Sequence, residues 1–123
     1  MKGDRMRFTM DNNDKPLTRK DKDRVFRELL ICITRRFWAD IRHLPLPPDK
    51  CICLATFRLL TYPELAVSHI KKRSTHPELI YDLSNVQLIG HEIHDQQERR
   101  EVPEDLRPAD YIDYLKRYKG VTL

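Results

Sequence analysis

Cys51-Ile52-Cys53-Leu54-Ala55-Thr56-Phe57-Arg58-Leu59-Leu60 is the stretch on which the fold class turns. An apolar run of this length forms either a buried helix or a buried strand, and periodicity alone does not separate the two. Asp49, just ahead of it, is of the type that caps helices, and Thr61 offers another cap soon after its end. Those flanks favour a helix. The alternative is a strand near 51–57 with a second near 86–89, which makes the chain α+β.

Upstream, residues 1–16 are polar and without periodicity, so they read as a flexible N-terminal arm. Thr18 and Asp21 then have the spacing of a capping box. Phe26, Leu29, Leu30, Ile33, Phe37, Ile41 and Leu44 follow at intervals of three and four, which predicts one long helix to about His43. Pro45, Pro47 and Pro48 end it, because proline removes the amide donor and clashes with the preceding turn.

Downstream, Thr61-Tyr62-Pro63-Glu64-Leu65 and Thr75-His76-Pro77-Glu78-Leu79 repeat one phrase: a capping Thr, a first-turn proline and a Glu that reaches back. Each predicts a helix start. The second helix of this pair carries Leu79, Leu83, Val86, Gly90 and Ile93 on one stripe and runs to about Arg100. A last helix spans 108–119, with Tyr111, Ile112, Leu115 and Tyr118 on one side. The expectation is an all-α bundle of about five helices at 17–123, the first packing on those at 76–100 and 108–119.

The 123 residues include 23 Lys and Arg against 19 Asp and Glu, and 8 Pro against 3 Gly. Scarce glycine excludes collagen-like and flexible-linker chains, and well-grouped apolar residues argue against disorder. No run is long enough to span a membrane, and no secretory leader is evident, so an intracellular (cytoplasmic or nuclear) location is expected. Cys32, Cys51 and Cys53 are odd in number, and the last two are too close to bridge, so free thiols are expected. The net charge of +4 is unevenly placed: residues 1–50 carry +5, 51–100 balance, and 101–123 carry −1.

That excess falls on the first helix. At roughly 100° per residue, Lys20, Arg24, Arg27, Arg35 and Arg42 share a sector opposite the apolar stripe, with Trp38 at its edge. Guanidinium groups spaced by helical turns match phosphates, and an indole can stack on a base. The bland reading is a solvated face with Trp38 in the core. Lys71-Lys72-Arg73 is a second cluster, explained equally by a helix C-terminus. A helix-turn-helix across 60–86 is disfavoured, because its second helix is acidic and apolar where base contacts are needed. Cys51-x-Cys53 with His91-x-x-His94 does not have zinc-site spacing. His91, Glu92 and Asp95 lack marked catalytic partners, and there is no phosphate-binding glycine loop or nucleophile motif. Tyr114 is the tyrosine best placed for a partner surface.

The sequence therefore predicts a small non-enzymatic regulatory or accessory protein, of viral type in size, without cofactor or metal. It binds DNA or RNA through Lys20, Arg24, Arg27, Arg35 and Arg42 beside Trp38, and leaves room for a homo-oligomer. The alternative is an interaction module or inhibitor that uses that helix, or Tyr114, on an acidic protein partner.

Overall fold

Thr18 and Asp21 do form the capping box: the Asp21 amide donates to Thr18 Oγ1 at 3.2 Å and the Thr18 amide to Asp21 Oδ2 at 3.3 Å. They open α1, Arg19–Asp40, in a computed structural model that describes residues 16–119 and 121. Apart from Pro16, the N-terminal arm lies outside the described residues. His43 ends the helical path in the left-handed region, at φ 57°, and the prolines follow. Phe26, Leu30, Ile33 and Phe37 bury the stripe with Trp38, each burial being worth about 1.5–3 kcal/mol.

From residue 50 onward the all-α expectation fails. Asp49 sits at φ 61°, whereas an N-cap needs extended backbone, so it turns the chain and caps nothing. Lys50–Ile52 is strand β1 and Leu59–Thr61 is strand β2, paired antiparallel with Cys51 opposite Leu60. The capping box at Thr61 is real, with Glu64 Oε1 accepting from the Thr61 amide at 2.7 Å, but it closes a single 3₁₀ turn, Tyr62–Glu64. Leu65–His69 then runs as β3.

The expected helix at 76–100 is likewise broken. Short 3₁₀ turns at Pro77–Leu79 and Leu83–Asn85 lead into β4, Val86–Gly90, buried at every position. β3 and β4 pair antiparallel from Leu65 opposite Gly90 to His69 opposite Val86. Only His91–Glu98 is helical, as α2, followed by α3 at Ala109–Leu115 and a 3₁₀ turn at Lys116–Tyr118. The fold is α+β, three helices and four short strands in two sheets among the described residues.

The apolar stripe of α1 therefore covers β1 and β4 where a helix at 76–100 was expected, and it does pack on α3, Phe37 meeting Tyr111 edge-on with centroids 5.0 Å apart. The Leu54 amide donates to Leu88 O at 3.2 Å and the Gly90 amide to Cys53 Sγ at 3.3 Å, which seats the β1–β2 hairpin alongside β4. A Cβ at Gly90 would lie 3.0 Å from Leu60 Cδ1, so a larger residue here makes that side chain give way. On the far side, Gln87 Nε2 donates to Ser68 Oγ and to Glu104 O, and Ser68 Oγ donates to Gln97. That network ties α2 and the 103–106 segment to the sheet. Cys51 and Cys53 are buried and unpaired, and burial pushes the Cys51 thiol up to about 12, which leaves it unreactive.

Candidate functional site

The cationic row on α1 does not survive as a ridge. Lys20 and Arg24 are exposed, Arg24 within 3.4 Å of Asp21. Arg27 instead turns inward: its two terminal nitrogens donate to Leu65 O, at 3.0 Å, and to Tyr62 O. Arg35 donates to Pro47 O at 3.0 Å and to Lys50 O. Arg42 forms a two-point pair with Asp110, at 2.6 and 3.1 Å, and lies against the Phe37, Trp38 and Phe57 rings. Trp38 is 1% exposed and donates its indole N–H to Ile52 O, so it presents no face to a base. Tyr114, expected at the surface, is 4% exposed and tilted against Phe37, with its phenol pushed up to about 12 mainly by burial.

What the fold does bring together is a cleft at the end of β3. This strand ends on His69, and β4 leads directly into α2 with His94 one turn inside it. Val67, His69, Lys72, Arg73, His94 and Glu98 are among the residues that line a cavity of about 360 Å³. The loop from Ile70 to Asn85 is held in place by Asn85. Its Oδ1 accepts from the Lys71 amide at 2.9 Å, and its Nδ2 donates to Lys71 O at 3.1 Å and Leu79 O at 3.3 Å. Lys71, Lys72 and Arg73 are thereby presented on one exposed turn, not on a helix end.

His69 is the unusual member. Its Nε2 lies 3.0 Å from Ile80 O. A carbonyl only accepts, so Nε2 carries the proton and Nδ1 keeps a lone pair. Burial first, then the charges of Arg73 and His94, hold the imidazole below 6.5, against the opposing effects of Ile80 O and Asp23. It is neutral at pH 7. His94 Nε2 lies 4.0 Å from Glu98 Oε2, one helical turn away. Among the described residues no group of three or more His, Cys, Asp or Glu side chains is arranged around a metal position. His91, the other histidine of the pair considered in the sequence, bonds Pro63 O at 3.1 Å and stays exposed.

Sequence reasoning passed over His69, Asn85 and Glu98. Leu65-Ala66-Val67-Ser68-His69 gives little signal, because three apolar residues precede two polar ones without the alternation that marks a half-buried strand. Comparison with protein-family models, curated proteins and solved structures gives no match. The chain is of the α+β class, and its strand–loop–strand–helix unit brings His69 and His94 to one cleft with Lys72, Arg73, Glu98 and Glu104. No described helix is long and apolar enough to cross a membrane.

Proposed function

We propose that the chain binds nucleic acid at this cleft and hydrolyses its phosphodiester bonds. The observation that carries the reading is His69: a neutral imidazole, fixed by Ile80 O in the tautomer a general base needs, in a cavity shared with Lys72 and Arg73. The two cations suit phosphate oxygens. His94 Nε2 and Glu98 Oε2, 4.0 Å apart, would have to draw closer together to hold a divalent ion, which would supply charge neutralisation at a phosphoryl oxygen.

In the reaction, His69 Nδ1 takes a proton from water while the water oxygen bonds to phosphorus. The bond from phosphorus to the leaving sugar oxygen breaks, and that oxygen takes a proton from solvent water. Nucleic acid remains the partner expected from the sequence, but it moves from the α1 face to the cleft, and chemistry is added to binding. The acidic-protein alternative draws on the same α1 arginines and shares their occupancy.

The test is incubation of the purified protein with duplex DNA, single-stranded DNA and RNA, with Mg²⁺ or Mn²⁺ and with chelator. Expected is ion-dependent cleavage that His69→Ala lowers by about 10²–10⁴-fold without loss of the fold. Binding with no cleavage of any substrate returns the reading to a non-enzymatic binder. Cleavage undiminished in His69→Ala removes the base from the mechanism.

A further inference from the structure

A second cavity, of about 320 Å³, adjoins the first, and Val67, His69 and Arg73 belong to both linings. It lies between α1 and β3. Phe26, Leu65, Val67 and Ile80 give it apolar walls, and Asp23 and Tyr81 supply polar groups. The Tyr81 hydroxyl donates to Asp23 Oδ1 at 2.6 Å, and its ring meets Phe26 edge-on, with centroids 5.5 Å apart. Arg27, also at this cavity, is committed to Leu65 O and Tyr62 O and serves as a fixed wall. A concave apolar site of about this size with a few convergent polar groups is the usual form of a small-ligand pocket.

Resting on the reading of the adjoining cleft as the phosphodiester site, we propose that this cavity is a base-recognition subsite for an unpaired guanine. Arg73 divides the ligand. The phosphate stays with Lys72 and Arg73, because the Asp23 carboxylate offers only acceptors and repels an anion. The base enters between the apolar walls and turns its donor edge to Asp23. Guanine presents N1–H and N2–H side by side to a carboxylate, whereas adenine and cytosine present one amino group and uracil or thymine one imide N–H. Asp23 Oδ1 already accepts from Tyr81 and lies 3.9 Å from the Arg73 guanidinium, so the base takes Oδ2 together with the remaining lone pair of Oδ1. That edge is the one used in base pairing, so the substrate is single-stranded, or locally unpaired, at this nucleotide.

The experiment is titration of the folded wild-type protein with the four nucleoside 5′-monophosphates, which carry no phosphodiester bond to cut, followed by calorimetry or amide NMR. Guanosine monophosphate is expected to bind roughly tenfold more tightly than the adenosine compound, as a bidentate base contact gives. Asp23→Asn, which keeps an acceptor for Tyr81, is expected to abolish that preference, and Arg73→Ala to weaken all four alike. Equal affinity for the four, or a guanine preference unchanged in Asp23→Asn, overturns the subsite. A guanine preference in a protein that cleaves nothing overturns the hydrolytic reading and leaves the subsite standing. Cleavage without base preference does the reverse.

Discussion

Replacing Arg27 by Met separates the two roles that an arginine on α1 can have. The thioether keeps most of the apolar stem and removes the two hydrogen bonds to Leu65 O and Tyr62 O, the contacts that hold the Tyr62–Glu64 turn and the start of β3 against α1. A hydrogen bond from a charged donor contributes about 1.5–3 kcal/mol. Both bonds are only partly buried, so water can take over some of the acceptor capacity, and a net loss of about 2 kcal/mol is expected. With a urea dependence of about 1.5 kcal/mol/M, the midpoint of unfolding should fall by roughly 1.3 M. The companion assay is the salt dependence of DNA binding. Each neutralised phosphate contributes about −0.9 to the slope of log K against log salt for a duplex, so Lys72→Ala with Arg73→Ala should flatten it by up to about 1.8. Arg27→Met should leave the slope unchanged at urea concentrations far below its midpoint. A slope reduced by about 0.9 in Arg27→Met, with no change in the urea midpoint, would refute the assignment of Arg27 as a structural tie.

Three further outcomes are expected. Cleavage should rise with pH along an acid limb whose midpoint lies below 6.5, since burial and Arg73 depress His69 and the base form must accumulate before it can act; a midpoint well above 6.5 in a pH–rate profile contradicts that role. Asp110→Asn should destabilise by about 0.5–1 kcal/mol, because the pair with Arg42 is partly exposed. Arg42 holds the Asp110 carboxyl below 3.8, so the contribution is present above that value and lost as pH falls through the depressed one, and variant and wild type should converge in acid unfolding. Gly90→Ala should cost about 1 kcal/mol by overpacking against Leu60 Cδ1, read as a melting temperature lower by about 3–5 °C.

Cap chemistry was legible at Thr18 and Thr61 but not at Asp49 or Thr75, where Glu78 pairs with His76 instead, and strand pairing was not legible. Thr18 with Asp21 and Thr61 with Glu64 both form the bonds their spacing implies. After Thr18 the apolar residues recur at helical intervals and bury against the rest of the chain, so the helix continues for 22 residues. After Thr61 the next apolar residues find partners in Val86–Gly90, and the helical turn stops at Glu64. A cap fixes where a turn can begin; whether the helix continues is decided by burial against segments distant in sequence. The stripe of Leu79, Leu83, Val86, Gly90 and Ile93 was a coincidence of spacing across two turns, a strand and a helix. His69 was invisible for a related reason. Its neighbours in the cleft are set by the register of His69 opposite Val86 and by the Asn85 bonds, and neither leaves a local trace.

The arginine row on α1 shows one property serving two purposes. Arg was favoured over Lys at 27, 35 and 42 on the ground that a planar fork with several donors suits phosphate. The same fork lets Arg27 bond two carbonyls at once, lets Arg35 hold Pro47 O and Lys50 O, and gives Arg42 a two-point grip on Asp110 beneath an aromatic cluster. Arg27 ties α1 to the Tyr62 turn and Arg35 ties it to the proline-rich link into β1, while Arg42, just past the helix, grips α3, whose Tyr111 and Tyr114 also pack on Phe37. A lysine, with its donors on one nitrogen at the end of a flexible stem, cannot span such pairs of acceptors in a fixed plane. The preference for Arg at these positions therefore follows from tying α1 to the segments packed around it.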